Sequence, residues 1–166
     1  MSLVEVLIAI ALAAVLLSLA VPMTKSLQAR RATDAALSTL ASDFSLARSE
    51  AIRRGHFVII CPSDDGQSCS TENDWREGWL MLEKIPATNP AQTFVLRAQG
   101  PLPGIASLVV TLGAAQDEFT FGPTGVGVAT GGNVRLKPAA DPSAERLLCI
   151  SAAGVQELRD PGTQSC

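Results

Sequence analysis

Residues Leu3 to Val21 hold 17 apolar side chains in 19 positions, interrupted only by Glu5 and Ser18. As a helix this run spans about 28 Å, at about 1.5 Å per residue, close to the hydrocarbon thickness of a bilayer. A cleavable secretory signal is one alternative, and Ser18-Leu19-Ala20 offers small residues of the required kind. A signal also needs a basic stretch ahead of its apolar core, and only Met1 and Ser2 precede Leu3. The segment therefore reads as a retained anchor, unless a basic leader has been removed from a longer precursor. Glu5 is the anomaly. A carboxylate in an apolar helix costs about 3 kcal/mol at the bilayer centre and less near an interface. No basic partner exists within the run, so Glu5 either stays wet at headgroup level or pairs with a group from outside the helix.

This run distorts the composition of the whole chain. Across 166 residues, 47 % are apolar, the net charge is −3 and mean hydropathy is +0.26. From Pro22 onward only 60 of 145 residues are apolar, the level of a modest soluble domain. Collagen-like and disordered classes are excluded, and the acidic balance argues against nucleic acid or anionic lipid as a partner of the whole chain. The charge is itself divided. Residues 22–55 carry six basic and three acidic groups, and residues 56–166 carry seven and twelve.

After Pro22 the pattern remains helical and becomes amphipathic. Leu37, Leu40, Phe44, Ala47 and Ala51 recur at spacings of three and four, which is one helical face. Arg53 and Arg54 fall in the final turn and Gly55 at the position after it, a good stop signal. One helix is expected from about residue 2 to 54, kinked or offset at Pro22 but not divided there. Its basic stripe, with Arg30, Arg31, Arg53 and Arg54, would suit DNA or lipid headgroups. A solvated face with dipole-favoured arginines is the simpler account and the one favoured.

From His56 onward short runs alternate with clusters of Gly, Pro, Asp and Asn. Strands are expected at His56–Cys61, Trp79–Glu83, Thr93–Ala98, Ser107–Leu112, Glu118–Phe121, Asn133–Lys137, Arg146–Ser151 and Val155–Arg159. No amphipathic helix separates them, so an antiparallel α+β arrangement is favoured over βαβ units. The sheet would bury its inner face on Leu37, Leu40, Phe44 and Ala47. The organisation is then an apolar half-helix (1–22), an amphipathic half-helix (23–55) and a β-rich domain (56–166). Four cysteines allow three connectivities. Proximity in sequence favours Cys61–Cys69 and Cys149–Cys166, each stabilising by about 2.5–3 kcal/mol in the loop-closure picture.

Enzymatic motifs fail on context. Gly125-x-Gly127-x-x-x-Gly131 leads into a strand rather than opening a helix, as a dinucleotide site requires. Gly66-Gln67-Ser68-Cys69-Ser70 lacks the last glycine of a nucleophile elbow, and His56 is the one histidine of the chain. Asp64, Asp65 and Asp74 do not have EF-hand spacing, and the cysteine spacings do not suit zinc. Neither metal nor cofactor is expected. Trp75 and Trp79 would share a face if both lay in one strand, which suits core anchoring better than ligand stacking.

Several segments together resemble a known family. Leu3-Val4-Glu5 opening an apolar helix, LARSEAIRRG (46–55), ICPSDDGQSC followed by DWREGWLMLEK, FTFGPTGVG (119–127) and LLCISAAGV (147–155) are similar, in order, to the GspH/FimT/FimU group of type IV pilin-like minor pilins and pseudopilins. That resemblance implies a ladle: a long helical handle packed on an antiparallel β-rich bowl. It implies that Met1 stands where the family has an N-methylated Phe, exposed when prepilin peptidase cuts the precursor. It also implies that Glu5 pairs with the α-amino group of a neighbouring subunit. The chain would be held in the inner membrane with a periplasmic domain, then enter a type IV pilus beside other minor pilins and the major pilin. A type II secretion pseudopilus, with other pseudopilins as partners, is the alternative. DNA-binding members carry a Gly-Arg-x-Arg turn; the corresponding Gly154-Val155-Gln156-Glu157-Leu158-Arg159 lacks that arginine pair, so nucleic acid is not the expected partner.

Overall fold

The computed structural model describes residues 2–85, 92–112, 118–127, 131–151, 153–159 and 166, with the side chains of 15–26 outside that description. One helix, α1 (Leu3–Arg54), runs without interruption through position 22. It ends at Gly55, which is left-handed (φ 69°) and donates its N–H to the Ala51 carbonyl. Eight strands follow: β1 (Phe57–Pro62), β2 (Trp79–Ile85), β3 (Gln92–Gln99), β4 (Ile105–Leu112), β5 (Phe119–Phe121), β6 (Gly132–Pro138), β7 (Arg146–Ile150) and β8 (Gln156–Arg159). Each matches an expected strand to within two residues at either end.

The strands form two sheets of four, ordered β3-β2-β1-β5 and β4-β6-β7-β8, with every ladder antiparallel. The antiparallel sheet system expected from sequence is thus divided into two sheets. Alternation of apolar residues reports which face of a strand is buried but not which sheet it joins. In the first sheet Val58, Ile60, Met81, Phe119 and Phe121 share the inner face through the pairs Val58↔Phe121, Ile60↔Phe119 and Ile60↔Met81. In the second, Leu108 opposes Leu136 and Val110 opposes Val134, which opposes Leu148. Both inner faces belong to one core with Ala36, Leu37, Leu40, Phe44, Ala47 and Ala51 of α1. The helical stripe read from sequence is therefore the layer that the two sheets share.

Phe44 is its centre. Its ring lies 5.3 Å from Phe119 and 6.4 Å from Phe121, edge-on to both, and 6.4 Å from Trp75. Trp75 sits in a 3-10 turn (Trp75–Glu77) and Trp79 opens β2, so they do not share a strand. Both are buried. A buried indole N–H needs an acceptor. Trp75 Nε1 donates to Asn73 Oδ1 (3.0 Å), and Asn73 Nδ2 donates to the Val110 carbonyl, joining the turn to β4. Trp79 Nε1 donates to Asp43 Oδ2 (2.8 Å). Asp43 lies in the buried stripe of α1, 1 % exposed, and its other oxygen lies 3.1 Å from Arg97 Nε on β3. That second contact is ionic, with no hydrogen bond to Oδ1. One carboxylate thus ties the helix to two strands of the first sheet.

The end of the helix is held similarly. Glu83, buried on β2, accepts from Arg54 Nη1 and from His56 Nδ1, each at 2.8 Å. Its carboxyl is held below the usual range chiefly by the His56 hydrogen bond, against the opposing effect of burial, with the Arg54 charge assisting. Arg53 and Arg54 both also grip Glu50. The disulfides join Cys61 to Cys69 and Cys149 to Cys166, the local pairing. The first closes a loop in which Asp65 accepts from the Gln67 and Ser68 amides and from the hydroxyls of Ser63 and Ser68. These bonds, above all the backbone ones, hold the Asp65 carboxyl far below its usual range.

Two outcomes are expected in denaturant titrations of the full chain in mild detergent. Asp43→Ala strands the Trp79 N–H and the Arg97 cation and lowers unfolding free energy by about 1–3 kcal/mol. In a double-mutant cycle with Trp79→Phe, the two losses fall short of additivity. Because the Glu83 carboxyl is depressed in the folded chain, its contribution is present above its ordinary value near 4.5. It is lost as pH falls through the lower folded value. Glu83→Gln should therefore be less stable than the parent at pH 7 and lose less of its stability on acidification to pH 3.

Candidate assembly interface

The handle splits into two chemically different halves. From position 27 onward α1 has a buried stripe beginning with Ala29, Thr33 and Ala36. From Leu3 to Ala14 every residue is exposed, with Leu3 at 76 %, Ile10 at 61 % and Leu12 at 61 %. A contiguous apolar surface of this extent is not left bare by a monomeric protein in water. The chain itself supplies no cover for it among the described residues. Nor does any helical window among those residues reach the length and apolarity that crossing a membrane requires. The side chains of residues 15–26, which include the rest of the apolar run, lie outside that description.

Glu5 lies in the first turn of α1, exposed among these apolar side chains. Ser2 occupies the N-cap position without a side-chain cap bond. Its carbonyl instead accepts from the Glu5 and Val6 amides, at 3.0 and 3.4 Å. A carboxylate there is favoured by the positive end of the helix dipole, yet no cation stands beside it among the described residues. Met1 lies outside those residues, as does the side chain of Pro22.

The basic groups are distributed unequally. Arg30 and Arg31 project from the exposed side of α1. Arg53 and Arg54 are engaged by Glu50 and, for Arg54, by Glu83. The Gly154–Arg159 segment forms the end of a turn and β8, where Arg159 Nη2 pairs with Glu157 at 3.0 Å. Sequence reasoning missed Asp43, Arg97, Glu83 and His56 as a set. An acidic residue inside an apolar helical stripe was the available signal for Asp43, whereas the others meet only across long chain separations.

Among the described residues of the bowl, no nucleophile, base and orienting group come together. An open cleft of about 540 Å³ lies against the second sheet, between Thr111, Asn133, Cys149 and Glu157. Its charged groups, Glu157 and Arg159, neutralise each other. Among the described residues no three His, Cys, Asp or Glu side chains gather in a way that could hold a metal. Asp65 and Asp74 instead cap local turns. Gly125 and Gly127 lie in the turn after β5, which no helix follows.

Comparison with known proteins gives a consistent result. The family described as Type II transport protein GspH matches residues 36–154, from the buried stripe of α1 to the turn before β8. The fold is similar to the type IV minor pilin FimU of Pseudomonas aeruginosa, with a TM-score of 0.58 at 22 % identity, covering 80 % of this chain and 93 % of that one. It is also similar to the minor pseudopilin EpsH from the type II secretion system of Vibrio cholerae, with a TM-score of 0.56 at 16 % identity, covering 82 % and 99 %. No curated protein sequence matches the chain. With its helical handle, antiparallel bowl and family match over most of its length, this chain belongs to the GspH family of type IV pilin-like minor pilins and pseudopilins.

Proposed function

We propose that this chain is a minor pilin built into a type IV pilus, in the complex at its tip, where it supports pilus assembly and pilus-dependent motility or adhesion. The observation that carries the reading is the exposed apolar half of α1 with Glu5 in its first turn. Before assembly, the inner membrane covers that surface in a single pass and the bowl lies in the periplasm, where its two disulfides persist. In the filament the helices of neighbouring subunits replace lipid. A subunit docked out of register would leave Glu5 buried without a partner, a cost of several kcal/mol. The matching cation is the α-amino group of the neighbour, after prepilin peptidase has set the terminus at the Met1 position and that residue has been N-methylated. Pro22 then sits where the apolar half departs from the packed half.

A type II secretion pseudopilin is the second reading, favoured by the description of the matching family. Handle, register and bowl would act identically there. A DNA receptor is less favoured, since Glu157 and the acidic bowl oppose a phosphate backbone. The work in either leading case is assembly rather than catalysis.

Glu5→Leu separates register from membrane insertion. The variant should remain in the inner-membrane fraction at parental levels while falling at least about tenfold in sheared pili or pseudopili, the loss expected from about 1.4 kcal/mol or more. Normal incorporation of Glu5→Leu would overturn the register role. Unchanged piliation and secretion after deletion of the whole chain would overturn the assembly reading.

A further inference from the structure

We propose that Arg48 is the anchor of a docking surface that receives a carboxylate, set among apolar side chains, from a neighbouring subunit of the same filament. This rests on the assembly reading and adds to it the face and chemistry of one contact outside the apolar helix core. The arginines at the helix end and throughout the bowl each lie within 4.0 Å of a carboxylate. Arg30 and Arg31 are exposed and solvated. Arg48 is different: it is partly buried, and among the described residues it has neither an ion-pair partner nor a hydrogen bond.

Two turns converge on it. In the first, Gly125 N–H donates to the Gly122 carbonyl and Gly122 N–H to the Val126 carbonyl; in the second, Gly154 N–H donates to Ser151 and Ser151 N–H to Val155. Gly125 (φ 75°) and Gly154 (φ 73°) adopt left-handed backbone that other residues disfavour. Neither site has room for a side chain. A Cβ on Gly125 would stand 2.5 Å from Ile52 Cδ1 and 3.4 Å from Arg48 Nε. One on Gly154 would stand 2.9 Å from Phe121 Cε1 and 3.7 Å from Arg48 Cδ. The stem of Arg48 thus runs beside both turns, which restricts its freedom and lowers the entropic cost of ordering it against a partner.

Exposed apolar groups lie on the same elements: Val126 next to Gly125, Val155 next to Gly154, and Ile52 one helical turn after Arg48, at 54 %, 62 % and 53 %. A restricted arginine with apolar side chains on the elements beside it has the anatomy of an interface anchor, because such a rim excludes water and strengthens an ion pair formed there. The occupant follows from charge. A nucleic acid would bring many phosphates against a bowl of net −5, where Arg48 is one cation among a surplus of acids. A single carboxylate within an apolar patch needs only that cation. Subunits built like this one present such groups, since the bowl carries twelve acidic residues against seven basic.

The test uses the full chain in cells that assemble the filament, with a photo-crosslinking benzoylphenylalanine in place of Val155. The expected product joins this residue to another pilin or pseudopilin, at a peptide with an Asp or Glu within about one helical turn of the attachment point. Arg48→Glu should reduce its yield at least about tenfold, Arg48→Lys should retain most of it, and changing the partner's acid to arginine should restore it in the Arg48→Glu background. That restoration also excludes a folding defect. A yield within about twofold of the parent in Arg48→Glu, a crosslinked peptide without an acid, or no subunit product would each overturn the docking surface while leaving the assembly reading intact. Absence of the chain from isolated pili and pseudopili would remove both.

Discussion

The face of α1 from Ala36 to Ala51 is the single surface on which both sheets close. Neither four-stranded sheet covers its own inner side, and 60 apolar residues after position 21 leave little to spare for a second core. Phe44 meets the first sheet through Phe119 and Phe121 and the connecting turn through Trp75. Leu40, fully buried beside it, contributes about 2–3 kcal/mol by burial alone. The polar ties from Asp43 and from Arg54 with Glu83 then fix the helix against the first sheet at two heights. Remove this stripe and the two sheets have no common layer.

The same helix has an opposite demand on its first half. Its apolar residues at 3–14 are uncovered on every side, so their burial must come from lipid or from other chains. One continuous helix therefore transmits position between two environments. In the proposed assembly, a bowl tied to its handle by buried bonds would report the axial register of the handle, and Arg48, beside two glycine turns, would offer the bowl side of the next contact.

Much of this was legible in the sequence. The buried stripe Leu37, Leu40, Phe44, Ala47 and Ala51 follows from helical period, and Gly55 marks its end because left-handed backbone there satisfies the final carbonyls. Eight strands are visible as short apolar runs between turn residues, and both disulfides as the pairing local in sequence. What was not legible depends on long-range choice. Which strands share a sheet is decided by packing against the helix, not by alternation. Asp43 stands out in sequence only as an acid within the apolar stripe, and its partners Trp79 and Arg97 arrive from far along the chain. Glu83, likewise, looks like the polar end of a strand but lies under Arg54 and His56. Trp75 and Trp79, four apart, serve separate polar networks that join the two sheets to the rest.

The division of labour within α1 can be measured by comparing thermal unfolding of the full chain with that of residues 28–166 in the same detergent. Equal midpoints within about 3 °C, the effect of roughly 1 kcal/mol in a domain of this size, are expected if the apolar half serves assembly alone. A fall of about 10 °C or more, or loss of a cooperative transition, would show that the bowl depends on that half for its fold and would contradict the division.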